Sequence, residues 1–341
     1  MAYISFQPSD FFSSKLYTGT GAELAISSVD FQPGTVWLKV YNTTGHQQVF
    51  DSVRGATKVI YPSQTDPEGT VAESLKSFDS DGFTLGTGSY VNTDTNSYVS
   101  YNWKTGTTTG IAGSPDITPT AYSFNATSGF SVIQYTGNGA NSTLPHGLGK
   151  KPGMILIKRT DSAVDWQVYH QGAGATKYGI LNTSAAFATN SGAWNNTEPT
   201  STLFTIGTNG ECNTNTGTYI AYCFADVKGY TNFGVYEGNG NVNGPFIYTG
   251  FRPAWLMPMN VDSAGSDKYI FDDKRLGYNP DNNNLFCNST SAQGTDDRID
   301  FLSNGFKVRN AGNPNNTDTW CYAAFAEFPT VSSNDIPGVA R

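Results

Sequence analysis

Thr218-Tyr219-Ile220-Ala221-Tyr222-Cys223-Phe224-Ala225-Asp226 decides how the rest of this chain reads. It is rich in aromatic and β-branched residues and carries no charge before Asp226, the pattern of a strand buried on both faces. The stretch has two counterparts. Ser97-Tyr98-Val99-Ser100-Tyr101-Asn102-Trp103 lies one repeat earlier, and Thr319-Trp320-Cys321-Tyr322-Ala323-Ala324-Phe325-Ala326-Glu327 one repeat later. A chain that closes three times on the same strand is built from repeated units. The functional question then shifts from one active site to the reason an all-β unit recurs.

Other landmarks keep the same order in each unit. Each opens on an aromatic-turn signature: Tyr17-Thr18-Gly19-Thr20-Gly21, Tyr135-Thr136-Gly137-Asn138-Gly139 and Tyr236-Glu237-Gly238-Asn239-Gly240. The glycines allow positive φ or close backbone approach in the turn. Next comes an apolar strand after a proline (Pro33, Pro152, Pro253), then an aromatic strand ending in a polar residue (Asp51, His170, Asp272), and late in the unit Phe83, Phe204 or Phe306. Repeats of roughly a hundred residues exceed the solenoid range, so each unit reads as a domain able to fill its own core. Short alternating strands separated by turn signals predict all-β architecture: three tandem β-sandwich domains, jelly-roll or lectin-like, from an internal triplication. The boundaries are an N-terminal arm 1–14, repeats at 15–106, 131–228 and 229–329, a Gly/Thr/Pro-rich linker 107–130, and a tail 330–341. The arm, with Phe6, Phe11 and Phe12, is expected to pack on the first repeat or on a neighbouring copy. Helical turns are expected at Val71–Leu75 and Ser184–Ala188.

Composition narrows the function classes. Of 341 residues 14% are charged and 13% aromatic, and the net charge is −8. Large cores are possible despite the low charge, so disorder is not implied. A net negative chain whose basic residues are scattered lacks a nucleic-acid footprint. No apolar run reaches membrane-span length, and the start lacks the basic and apolar regions of a secretory signal. The four cysteines form no CxxC pair and read as reduced, buried thiols.

No catalytic constellation emerges. His46, His146 and His170 are apart and unshared among the repeats, and read as surface or loop residues. There is no nucleophile elbow. Carboxylate pairs at Asp272-Asp273, Asp296-Asp297 and Asp79/Asp81 are the candidates for glycoside hydrolysis, which needs two carboxyls facing each other across a cleft. Neighbours on a strand point to opposite faces, so Asp272 and Asp273 cannot pair with each other. Asp79-Ser80-Asp81-Gly82 lacks the later ligands of a calcium loop. With Asn304-Gly305 at the same place in the third repeat, it reads as a type I′ hairpin turn. The candidates for saccharide contact are first Trp194-Asn195-Asn196 and second Tyr278-Asn279, where a ring face could stack on a sugar beside amides; the alternative is a Trp194 folded onto its own sandwich. No cofactor or metal is expected.

Taken together, Tyr135-Thr136-Gly137-Asn138-Gly139, His146-Gly147-Leu148-Gly149-Lys150-Lys151-Pro152, Asp165-Trp166-Gln167-Val168-Tyr169-His170 and Trp194 to Ser201 resemble a repeated domain of tailed-bacteriophage structural proteins. The resemblance covers nearly the whole chain and is closest in the second repeat. It implies a virion structural protein with β-sandwich domains and carries over no catalytic residue. The expected role is a tail fibre or related appendage in assembly and host-surface attachment, without enzymatic activity. It would be made in the host cytoplasm and carried in the virion. Expected partners are copies of itself, as a homo-oligomer such as a trimer, other virion proteins, and a host-surface glycan or protein, with neither nucleic acid nor membrane. A capsid decoration protein and a self-assembling extracellular filament subunit are the alternatives, and a glycan-active enzyme is the weakest.

Overall fold

The structure is a computed structural model and describes residues 5–275, 279 and 283–329. The fold is all-β, with three large antiparallel sheets and smaller ones beside them. The first large sheet runs Phe12–Thr18, Ser97–Trp103, Thr35–Val40, Gln48–Asp51. In the third, the order is Thr231–Glu237, Thr319–Pro329, Phe251–Asn260, Tyr269–Asp272, Asn284–Phe286. Between them in sequence, the middle sheet carries the same four-strand series as Phe130–Thr136, Thr218–Ala225, Pro152–Arg159, Gln167–His170 and extends it on both sides. In each sheet the closing strand thus sits between the opening strand and the strand after the proline. Registers agree: Trp103 faces Thr35, which faces Asp51; Phe224 faces Met154, which faces His170; Phe325 faces Trp255, which faces Asp272.

Both faces of each large sheet are covered, which explains the absence of a polar alternation in the sequence. In the first lobe Val36, Leu38 and Phe50 face a small sheet through Ile26, Phe83 and Leu85. Ile155, Ile157, Tyr219 and Ala221 do the same in the second, against Leu144, Phe204 and Ile206. The opposite faces meet in one shared core containing Trp37, Tyr101, Trp103, Met154, Leu156, Tyr222, Trp255 and Phe325. At its centre Trp103, Phe224 and Phe325, one from each closing strand, stand 6.1, 5.7 and 5.8 Å apart as ring centroids. The lobes are therefore arranged around an axis, in contact with one another on their inner faces.

The Tyr-x-Gly-x-Gly turns show why their residues recur. Tyr17, Tyr135 and Tyr236 each donate their hydroxyl to a carbonyl, of Val91, Cys212 and Pro314, at 2.8, 2.7 and 2.8 Å. The next residue is in every case a buried asparagine: Asn92, Asn213 or Asn315. Its Oδ1 accepts the backbone N–H of Thr20, Asn138 or Asn239 inside the turn at 2.8–3.0 Å. The first glycine is needed for clearance, because a Cβ at Gly19, Gly137 or Gly238 would come within 2.1, 2.4 or 1.9 Å of a backbone oxygen. The second has φ of 67°, 73° and 64°, the left-handed region that glycine tolerates best.

Interlobe locks close the ring in one direction. Tyr222 donates to Asp51 Oδ2 at 2.6 Å, and Arg54 Nε donates to the same oxygen at 2.6 Å. Tyr101 donates to Asp272 Oδ2 at 2.7 Å, with Arg275 Nε on that oxygen at 2.7 Å. The third lock has different chemistry: His170 Nε2 lies 2.9 Å from the Tyr322 carbonyl, while its Nδ1 accepts Gly172 N–H at 3.0 Å. This imidazole is neutral, with its proton on Nε2. Lysines run the same way round. Lys39 reaches the Thr290 carbonyl at 3.0 Å, Lys158 that of Thr65 at 2.7 Å, and Lys268 that of Ala185 at 2.9 Å.

Several expectations change. Part of the stretch read as a linker, Ala121–Asn125, is a strand on the edge of the middle sheet, because its apolar Tyr122 and Phe124 find a partner in Phe130–Thr136. Asp116 and Ile117 bind along Ser142–Pro145: Thr143 N–H donates to Asp116 Oδ2 at 2.9 Å, and Ile117 is buried. The arm packs on the first repeat as expected, with Phe12 paired to Trp103 and Lys104 over Phe11, and also on the far lobe, with Phe6 and Phe11 against Tyr230 and Phe12 against Phe325. Helical turns form at Ser89–Asn92, Ser191–Trp194 and Gly210–Asn213, and neither at Val71–Leu75 nor at Ser184–Ala188. Two of these turns deliver the buried asparagines. His146 and His170 are fully buried, each accepting a backbone N–H on Nδ1. The hairpin glycines Gly82 and Gly305 open the return strand instead of standing in the turn, where a Cβ would meet the Ile26 or Ile247 carbonyl at 1.9 or 2.0 Å. All four cysteines are free and buried.

A core shared by three lobes predicts one cooperative transition: urea curves from tryptophan fluorescence and far-ultraviolet circular dichroism should coincide. Asp51→Ala leaves the buried Arg54 with Glu68 at 3.4 Å as its remaining carboxylate, and should cost about 3 kcal/mol; a loss below about 1 kcal/mol would mean that Glu68 takes over the pairing. Burial lowers the His170 pKa to about 4 from its ordinary 6.5. The unfolded chain therefore takes up the proton first, and stability present above pH 6.5 is lost as pH falls towards 4. Between roughly pH 7 and 5 the native chain should lose about 2 kcal/mol more than His170→Gln; equal losses would contradict the neutral lock.

Candidate functional site

Immediately after the lock residues come Ser52, Gln171 and Asp273, and two residues beyond the central rings come Thr105, Asp226 and Glu327. These pairs occupy equivalent places in the strand registers, at the three junctions where a closing strand hands over to the opening strand of the next lobe. Adjacent strand residues face opposite ways, so the residue after a buried lock is directed out of the core. The three junctions carry three different chemistries.

At the second junction the space is filled. Gln171 Nε2 donates to Asp226 Oδ2 at 2.7 Å and to the Phe233 carbonyl at 2.5 Å, while Asp226 Oδ1 accepts Phe233 N–H at 2.8 Å. The Phe233 ring lies over Gly153, 2.8 Å from where a Cβ would stand.

The third junction is charged. A cleft of about 200 Å³ is lined by Ser14, Lys15, Asp30, Asp273, Lys274 and Glu327 among others. Lys274 Nζ lies 2.8 Å from Asp273 Oδ2 and 4.0 Å from Glu327 Oε1, and Arg252 Nη1 is 2.7 Å from Glu327 Oε2. The Asp273 side chain is 1% exposed, and its Oδ1 makes no hydrogen bond. Burial raises its pKa to about 7; Lys274 opposes the rise, and Glu327 and Asp272 add to it. Ser14 Oγ is buried beside it without a partner. The carboxylates are thus held by cations, an arrangement that stores charge in the wall of the cleft. Asp272, its sequence neighbour, belongs to the Tyr101–Arg275 lock. The pair that the fold creates is Asp273 with Glu327, 54 positions on in the chain, and only aligning the repeats could have suggested it.

The first junction is open and neutral. A cleft of about 500 Å³ is lined by Gln32, Ser52, Thr105, Thr108, Thr120, Tyr122 and Ser123, together with Pro33, Gly34, Val53, Gly106 and Ala121.

The saccharide contacts expected from the sequence fall elsewhere. Trp194 is 1% exposed and lies edge-to-face on Tyr169 at 5.7 Å, so its ring cannot serve as a stacking platform. The turn Ser191–Trp194, capped by Asn190 accepting Gly192 N–H, carries the indole into the second lobe's core. Asn195 and Asn196 remain accessible, both with φ of 50°. Asn279 clamps the backbone of Phe301, donating to its carbonyl at 2.6 Å and accepting its N–H at 2.8 Å. Tyr278 lies outside the described residues. Asp79 accepts Ser77 and Thr84 hydroxyls at 2.7 Å, and Asp81 accepts the N–H groups of Ser28 and Asp30, so both carboxylates are used locally. Asp296 pairs with Arg298 at 2.6 Å. Among the described residues no group of three or more His, Cys, Asp or Glu could hold a metal ion, and no helix is long and apolar enough to cross a membrane.

Because Asp273 has a raised pKa, its burial favours the folded state at low pH, and that contribution is lost as pH rises from 3.8 to about 7. Asp273→Asn should therefore gain stability relative to the native chain between roughly pH 5 and 8, on the order of 2 kcal/mol. Denaturant melts at the two pH values check this, and a difference that does not change with pH would show that Lys274 keeps Asp273 ionised.

No curated protein and no solved structure matches this chain. A family model does, over residues 7–329, and its single match runs through all three large sheets. The chain belongs to the family described as Domain of unknown function (DUF7483).

Proposed function

We propose that this chain is a structural protein of a tailed-phage particle, a tail fibre or related appendage serving assembly and host-surface attachment. We infer also that its lobes are sandwich-like units derived by triplication. The recurring strand order, the Tyr–Gly–Asn turns and the cyclic locks support that descent. The carboxylates of the third junction, tied to Lys274 and Arg252, support a non-catalytic role.

One observation carries the assembly reading. Of the six large apolar side chains exposed among the described residues, four are Val235, Val242, Phe246 and Tyr248 in the third lobe. Phe246 and Tyr248 share the outward face of an edge strand, where the registers place Ala25 and Ser27 in the first lobe and Thr143 and Pro145 in the second. In the second lobe that edge is covered by Asp116–Ile117, whereas no described segment pairs beyond Phe246–Tyr248. An uncovered edge with outward aromatic rings can take a strand from another copy.

Analytical ultracentrifugation of the purified chain should give a homo-oligomer, and Phe246→Ser with Tyr248→Ser should weaken association at least about tenfold, roughly 1.4 kcal/mol. Mass spectrometry of purified particles should detect the chain. A stable monomer absent from particles would sink the proposal.

A further inference from the structure

We propose that the cleft of the first junction is a binding site for a neutral saccharide. About 500 Å³ is within the range of small-ligand sites. No charged side chain lines it, which disfavours an anion or a cation as the ligand. The lining is too rich in hydroxyls for an apolar ligand, which would leave them without hydrogen bonds. Ser52, Thr105 and Thr108 line the cleft, and their hydroxyls bond to no protein group among the described residues. Gln32 donates its Nε2 to the Phe78 carbonyl at 2.9 Å, which leaves its Oε1 as a free acceptor. Tyr122 rests on the second lobe's core and contributes the rest of its half-buried ring to the cleft wall. An aromatic ring beside uncommitted hydroxyls and an amide oxygen suits a polyhydroxylated ring with both an apolar face and an equator of donors and acceptors.

The two sister junctions set this one apart. Where Ser52 and Thr105 stand, one sister has Gln171 and Asp226 bonded to each other beneath Phe233, and the other has Asp273 and Glu327 held by cations. Gly34 keeps the first junction open and the Thr105 hydroxyl in place, since a Cβ there would lie 1.8 Å from Thr105 Oγ1. The counterpart of Gly34 at the charged junction is Ala254. A sugar would bind here whether or not the chain is part of a particle.

Saturation-transfer NMR on the full chain, with glucose, galactose, mannose and N-acetylglucosamine as neutral probes and glucuronate as an anionic one, tests the site. Transfer is expected from at least one neutral sugar. It should fall at least about tenfold in Tyr122→Ala and severalfold in Thr105→Val, which keeps the side-chain shape and removes only the hydroxyl. Tyr90→Ala, an exposed ring outside the cleft lining, should leave it unchanged, and circular dichroism of each variant confirms that it is folded. The proposal is overturned if no neutral sugar gives transfer, if transfer survives both cleft substitutions, or if glucuronate binds as well as the neutral sugars.

Discussion

The fold depends on the packing of Trp103, Phe224 and Phe325 against one another, each ring centroid about 6 Å from the other two. Three closing strands can bring these rings together only if every large sheet turns one face inward. The other face then has to be covered by that lobe's own small sheet. A sheet covered on both sides tolerates charge only where it is paired, and this is why each closing strand carries no charge up to its central ring. A lobe removed from the ring would expose Trp103, Phe224 or Phe325 together with the neighbours of that ring. The lobes therefore cannot be independent beads, and a single family match running across all of them agrees with one indivisible unit.

Charged groups inside that core have to be paired, and the locks show how. Burial pushes the Asp272 pKa up, but Arg275 and the Tyr101 hydroxyl more than offset this and hold it below the ordinary carboxylate range. At the third lock three residues differ together: Tyr101 and Tyr222 correspond to Ala323, Asp51 and Asp272 to His170, and Arg54 and Arg275 to Ala173. Changing the Asp or the Arg alone would take a buried charge away from its main partner. Exchanging the whole set for a neutral imidazole between a backbone donor and a backbone acceptor leaves nothing unpaired. The direction of closure is preserved while its chemistry changes, so geometry and not charge is the property common to the three interfaces.

Much of the fold was legible in the sequence because the repeat supplied its own comparison. The closing strands, the turn glycines and the polar ends at Asp51, His170 and Asp272 could all be placed from spacing. The sharing of the core could not, because an inward-facing Trp37 and an outward-facing Val36 read alike when both faces are buried. Trp194 read two ways because its loop is rich in Asn and Thr, and a single helical turn is enough to drop the indole into the core. The buried histidines escaped notice because what satisfies them is backbone N–H and C=O, which leaves no residue signature in the sequence. The candidate clefts were hidden for a related reason. Each joins residues from the end of one lobe and the start of another, and neither part carries a recognisable motif.

The junctions also explain where such a molecule can diversify. A lock residue points into the shared core and can change only together with its partners. The residue that follows it points the other way and meets the next lobe at its margin, outside the shared core, where its partners differ from junction to junction. Ser52, Gln171 and Asp273 stand at that position, and within one chain it has become neutral and open, bonded and closed, or charged and narrow. Loops rich in Asn and Thr are the usual place to look for recognition on an all-β scaffold. Here Trp194 and Asn279 are committed to holding the structure, while the margin of the ring offers rigid walls and uncommitted hydroxyls, so the same closure that consumes the loop residues leaves preformed clefts between the lobes.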